Sequence, residues 1–196
     1  MLNPGFHDVP EGHVAAVVTY LEMRARPELR AEVEEGLSLR RVESPDATWY
    51  QSLFRAVGAE DWLWFSRLAM SEAALCDIIQ HPEVAIYVLE RGGREEGLLE
   101  LDFRTEGECE LAFFGVTRAL TGTGAGRWMM NRAIELAWAR PITRFHVHTC
   151  TLDHPAALPF YMRSGFTPLK REVEIAPDPR LGGLIDKAAA PQIPTL

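Results

Sequence analysis

Glu110-Leu111-Ala112-Phe113-Phe114-Gly115-Val116-Thr117-Arg118-Ala119-Leu120-Thr121-Gly122-Thr123-Gly124-Ala125-Gly126-Arg127 is the stretch on which the fold turns. Its first part is apolar and aromatic and reads as a strand. Its end is glycine-rich and opens a long helical pattern from about Gly124 to Ala139. In such a junction the first N–H groups of the helix have no partner within it, and the helix dipole adds partial positive charge at the same spot. The result is an anion site suited to a phosphate or diphosphate. Glycines let the main chain approach the ligand closely.

Two nucleotide signatures fail on residue identity. The dinucleotide fingerprint needs a third glycine where Arg127 stands, and the phosphate-loop signature needs Lys and Ser/Thr where Arg127 and Trp128 follow Gly126.

Around this junction the pattern alternates. Leu37–Val42 reads as a strand. Ser44-Pro45-Asp46 reads as a helix start, with Ser44 as cap, followed by Tyr50, Leu53, Phe54 and Val57 at helical spacing and Gly58 as the stop. Ser71-Glu72 opens a second helix, which Pro82 ends. Strands at 84–90 and 97–103 flank the turn Arg91-Gly92-Gly93, and a third runs over 108–116. The long helix buries Met129, Ala133, Leu136 and Ala137. A strand at 144–151, a short helix at 155–164 and a strand at 166–174 complete the series. The predicted class is mixed α/β (α+β type) with a mostly antiparallel sheet flanked by helices.

Residues 1–36 are read as an N-terminal extension with an extra strand, His13–Leu21, and a helix-prone segment from Pro27 to Glu35. Residues 37–175 form the main domain. Residues 176–196, rich in proline, glycine and alanine, form an irregular C-terminal tail.

The chain has 196 residues, 47% of them hydrophobic and 24% charged, as in a globular protein with a sizeable core. Its 28 acidic and 20 basic side chains give a net charge of −8, which argues against a nucleic-acid partner. Three cysteines make no disulfide framework. No leader pattern and no membrane-length apolar run is found, so the expectation is a cytoplasmic protein.

The loop resembles the cofactor motif of the GNAT superfamily of acyl-CoA N-acyltransferases, Gln/Arg-x-x-Gly-x-Gly/Ala. Here it reads Thr121-Gly122-Thr123-Gly124-Ala125-Gly126, with Thr121 in place of the leading Gln/Arg. His154-Pro155-Ala156-Ala157-Leu158-Pro159-Phe160-Tyr161-Met162-Arg163-Ser164-Gly165-Phe166 is similar to the family's Asn-x-x-Ala-x-x-x-Tyr…Gly-Phe segment, with His154 where Asn is usual. The family's final strand has no counterpart after residue 175, and the N-terminal strand is the segment available for its place.

The resemblance implies an N-acetyltransferase with acetyl-CoA as co-substrate and no metal. It assigns Phe114, Gly115 and Val116, Thr121 to Gly126 (including Thr123 and Ala125), Arg127 and His154 to the cofactor, Tyr161 to the general acid and Glu110 to the base. Glu108, Glu100 and Asp102 compete with Glu110. Strict alternation puts Glu108, Glu110, Ala112 and Phe114 on one face. His146, His148 and Cys150 also alternate, but their ~7 Å spacing is too wide for one zinc ion. Trp62, Trp64 and Phe65 are candidates for the acceptor pocket. The implied partner is a small-molecule or peptide amine, and a homodimer is compatible with the sequence. A non-catalytic acyl-CoA-binding module of the same fold is the alternative.

Overall fold

The computed structural model describes residues 3–32 and 36–196. Seven strands form one sheet: β1 (His13–Met23), β2 (Leu37–Val42), β3 (Val84–Arg91), β4 (Arg94–Asp102), β5 (Glu108–Val116), β6 (Arg144–Cys150) and β7 (Thr167–Pro177). Their order is β2-β3-β4-β5-β6-β1-β7. All neighbours are antiparallel except β5 and β6. The N-terminal strand is not peripheral. β1 pairs with β6 on one side and β7 on the other, in the place left by the missing final strand.

Among the described residues five α-helices flank the sheet: α1 (Ala47–Phe54), α2 (Glu60–Trp62), α3 (Glu72–Ile79), α4 (Ala125–Trp138) and α5 (Ala157–Arg163). On one face, Met129, Ala133 and Ile134 of α4 and Tyr161 of α5 pack on Leu99, Leu101, Cys109, Leu111, Phe145 and Val147. On the other, Tyr50 and Phe54 of α1 and Leu75 and Ile79 of α3 pack on Val84, Ile86, Val88 and Leu98. Period-2 strands buried on both faces thus divide the apolar side chains between two cores.

Three local expectations change. The cap of α1 is Asp46, whose side chain accepts from Trp49 N–H at 2.9 Å, and Ser44 stays outside the helix. Gly58 does not stop α1: the chain continues as a π-helical turn, Arg55–Ala59, into α2, and Leu63 ends it in the left-handed region at φ 53°. Residues 27–32 form neither helix nor strand, and the rest of that predicted helical stretch, residues 33–35, lies outside the described residues. The tail beyond β7 has neither helix nor strand but is anchored: Ile185, Ala189 and Ala190 enter the second core, and Arg180 pairs with Asp178 at 2.6 Å with both side chains buried.

Candidate functional site

The site begins with an irregularity in β5. Glu100 pairs with Phe113 while Leu101 pairs with Leu111, so Ala112 is an extra residue, a β-bulge. The bulge reverses the faces beyond it. Glu110 shares its face with Asp102, its register partner, and Phe113 packs with α1. Phe114 and Val116 pack instead with Cys109 and Leu111, toward α4 and α5. Strict alternation, which groups Glu110 with Phe114, is therefore overturned by the one inserted residue.

Pairing between β5 and β6 also stops here. The parallel register runs Glu108–Arg144, Cys109–Phe145, Glu110–His146 and goes no farther. Beyond Glu110 the two strands diverge, and the main chain of Phe114, Gly115 and Val116 has β4 on one side and the gap on the other. An extended ligand placed in that gap meets unused strand edge.

The gap leads to the loop Thr121–Arg127. Gly122 and Gly124 have φ of 79° and 104°, values open to glycine at little steric cost. Thr121 Oγ1 donates back to the Thr117 carbonyl, and Thr123 Oγ1 donates to the Leu120 carbonyl at 2.9 Å. Ala125 N–H donates to Thr123 Oγ1 at 3.3 Å. Among the described residues nothing accepts from the N–H groups of Gly122, Gly124, Gly126 or Arg127. A Cβ built on Gly122 or Gly126 would meet open space. The loop is thus a set of free donors beside an open hollow at the positive end of a 14-residue helix, an arrangement suited to an anion. Arg127 does not turn into this hollow by its Nη1, which donates to the Ala31 carbonyl at 3.0 Å. Arg118 pairs with Asp61 across the surface.

Tyr161 lies on the α4/α5 side, wedged among Phe114, Phe160 and Phe166, with ring centroids 5.7 to 6.4 Å apart. Among the described residues none hydrogen-bonds its hydroxyl. Burial, and secondarily the charge of Asp153, pushes the phenol far above its ordinary value. It remains a proton donor across the physiological range. His154 opens the same helix: its Nδ1 accepts from Ala156 N–H at 3.0 Å, and its ring meets Trp62 edge-on at 4.9 Å.

Glu110 lies on the opposite face of the sheet. His148 Nδ1 is 3.5 Å from Glu110 Oε1. That bond, together with the neighbouring imidazoles, holds the Glu110 carboxyl below its usual range despite partial burial, and it raises His148. Burial lowers His146. Asp102, Arg104, Thr105, Glu108, Glu110 and His146 line a cavity of about 290 Å³. Of the competing carboxylates, Asp102 is taken by Arg104, at 2.6 Å, and Glu108 by Arg144, at 2.9 Å. Glu100 is fully buried between the Tyr50 hydroxyl and Arg67. Cys150, on the same face as the histidines, is pushed up to about 11 by burial and Asp153, which leaves it a thiol and a weak nucleophile at neutral pH. Among the described residues no three His, Cys, Asp or Glu side chains are grouped to hold a metal ion.

Trp64 links the two sides of the gap. Its Nε1 donates to Asp153 Oδ1 at 2.8 Å, while Asp153 Oδ2 accepts from Thr149 Oγ1 and Cys150 N–H at the end of β6. The indole lies against Gly115 and Gly58, where a Cβ would come within 2.9 and 2.1 Å of the ring. Gly58, which makes room for the indole, is not legible as a site residue; a glycine inside an otherwise helical pattern is the available signal.

With this geometry in hand, the sequence matches the Acetyltransferase (GNAT) family over residues 46–166. No curated protein matches the chain by sequence. Solved structures share its fold at low identity. A conserved protein of unknown function from Staphylococcus epidermidis superposes with a TM-score of 0.59 at 13% identity, covering 85% of this chain and 63% of its own. A GCN5-related N-acetyltransferase from Sphaerobacter thermophilus gives 0.62 at 16%, covering 84% and 53%. An aminoglycoside acetyltransferase from an uncultured soil metagenomic sample gives 0.51 at 14%, covering 68% and 90%. The chain spans less than two thirds of the length of the first two. No helix among the described residues is long and apolar enough to cross a membrane.

Proposed function

The chain belongs to the GNAT acetyltransferase family, and from that premise we propose that it is an N-acetyltransferase that moves an acetyl group from acetyl-CoA to a primary amine by direct attack in a ternary complex. The observation that carries this reading is the parting of β5 and β6 after Glu110 and His146, an open strand edge that leads straight to the uncapped glycine loop. CoA supplies the thioester. Its diphosphate takes the free N–H groups of Gly122, Gly124, Gly126 and Arg127, and its pantetheine arm follows Phe114–Val116.

The bulge at Ala112 supports a division of labour between the faces. Glu110, ionised at neutral pH, faces the cavity on the α1 side and takes the proton of the incoming amine, directly or through water. The amine nitrogen attacks the thioester carbon, the acyl–sulfur bond breaks, and the thiolate leaves on the other side of the gap. Tyr161, neutral and with no hydrogen-bond partner among the described residues, gives its proton to that sulfur. In this reading a main-chain N–H of the open edge stabilises the oxyanion. The amine is a small molecule or a peptide.

The test is acetyl-CoA turnover, followed by thiol release, over a panel of small amines and peptide N-termini. Acyl transfer to any member supports the reading. Tight CoA binding with no thiol release over the whole panel would favour a sensing module instead.

A further inference from the structure

The segment between β1 and β2 leaves the sheet and runs back over the start of α4. Asn131, which is buried, clamps it twice. Arg30 N–H donates to Asn131 Oδ1 at 3.3 Å, and Asn131 Nδ2 donates to the Arg30 carbonyl at 2.7 Å. One turn earlier on the same helix face, Arg127 holds the Ala31 carbonyl. Farther back, Pro27 lies against Gly165, where a Cβ would come within 3.0 Å of it. The segment is therefore seated between the first turn of α4 and the turn after α5, whose last residue is Arg163.

This seating gathers Arg30, Arg127 and Arg163. Among the described residues no carboxylate pairs with any of them. Glu32, two residues along, is turned onto Asn131 and Arg132. The cations also feel one another: after burial, the charges of Arg127 and Arg163 lower Arg30. Like charges held together with no counter-ion among the described residues are unfavourable unless an anion joins them. The helix dipole accounts for Arg163 at the end of α5, but not for the other two, since Arg127 stands at the positive end of α4 and Arg30 on no helix. The free donors of the glycine loop end at Arg127 itself, so the two anion-seeking features adjoin.

We propose that Arg30, Arg127 and Arg163 form a phosphomonoester site for the 3′-phosphate of CoA, with Arg30 supplied by a segment outside the family match. The proposal rests on the cofactor reading above. A phosphomonoester carries close to two negative charges at neutral pH and three acceptor oxygens, which suits a fork of guanidinium groups.

The experiment compares CoA with 3′-dephospho-CoA by titration calorimetry on the full chain. The wild type is expected to bind CoA about tenfold or more tightly than its dephospho form, the scale of a charge-assisted contact. Arg30→Gln is the main variant, because the main chain of Arg30 makes the structural bonds and its side chain makes none among the described residues. It should weaken CoA about tenfold and leave dephospho-CoA unchanged, and Arg30→Lys should recover part of the preference. Equal binding of both coenzymes by the wild type, or equal weakening of both by Arg30→Gln, overturns the proposal while leaving the cofactor reading in place. Binding of neither coenzyme overturns both.

Discussion

The indole N–H of Trp64 donates to Asp153 Oδ1 at 2.8 Å, and through that bond the loop after α2 is tied to the end of β6 across the gap in the sheet. The bond closes one side of the gap without filling it. Its geometry depends on two glycines, because the ring occupies the space that side chains at Gly58 and Gly115 would need.

Gly58→Ala is therefore expected to displace Trp64. The new methyl would fall 2.1 Å from the ring, inside any tolerable contact, and Gly58 is buried in the π-helical turn. Overpacking of this kind costs about 1–3 kcal/mol. Urea denaturation should show that loss together with a changed Trp fluorescence spectrum. In the double variant Gly58→Ala, Trp64→Leu the added cost of the alanine should nearly vanish. An alanine that costs the same in both backgrounds would mean that Trp64 yields freely and does not shape the gap.

Tyr161→Phe separates chemistry from packing. Among the described residues the hydroxyl has no hydrogen-bond partner, and the ring is buried among three phenylalanines, so its removal should leave stability within about 1 kcal/mol of wild type. Loss of a general acid lowers kcat about 10²-fold or more, with coenzyme affinity unchanged. Unaltered kcat would remove Tyr161 from the proposed mechanism.

These two residues mark what can be read from the chain and what cannot. The loop at Thr121–Arg127 and the helix bearing Tyr161 are local: glycines, a strand before them and a helix after them specify the conformation within a dozen residues. The N-terminal strand is equally legible as a strand, but its partners are more than 120 positions away in β6 and β7, and pairing at that range leaves no local mark. The bulge at Ala112 is one residue in an otherwise regular alternation, and it decides which face Phe114 occupies. The tail reads as irregular because it has no period; its burial rests on isolated residues such as Arg180 and Ala190 that no pattern announces.

Glu110 and His148 are expected to titrate as partners. Their bond raises His148 above its ordinary 6.5 and lowers Glu110 below its ordinary 4.5. A raised histidine stabilises the fold fully below 6.5 and loses that contribution as pH rises through its folded value. A lowered glutamate contributes above 4.5 and loses it as pH falls through its folded value. The pair is thus strongest between about 4.5 and 6.5. In Glu110→Gln the His148 titration, followed by its imidazole proton resonances, should fall toward 6.5. If Glu110 is the base, the variant should also lose about 10²-fold in kcat throughout the neutral range, where the wild-type carboxyl is already ionised. A His148 midpoint that does not move would show that the two groups are uncoupled.

Arg67 and Glu100 bear on the bulge from beneath. Arg67 pairs with Glu100, the Tyr50 hydroxyl donates to the same carboxylate, and the guanidinium lies 5.0 Å over the Phe113 ring beside Ala112. Arg67 Nε has no partner among the described residues, so the trio is only partly satisfied. Arg67→Met would strand Glu100 without its counter-ion, and breaking a buried pair from one side costs about 3–5 kcal/mol. Burial already raises Glu100 above its ordinary 4.5. A carboxyl raised in the fold is neutral in both states at low pH, and its penalty grows as pH climbs past 4.5. The variant's deficit should accordingly be largest near pH 7 and shrink toward pH 5. Adding Glu100→Gln should recover much of it, because a neutral amide needs no counter-charge and still accepts from Tyr50. A pH-independent deficit, or one that the second substitution leaves unrelieved, would mean that Arg67 acts by packing on Phe113 and not by balancing Glu100.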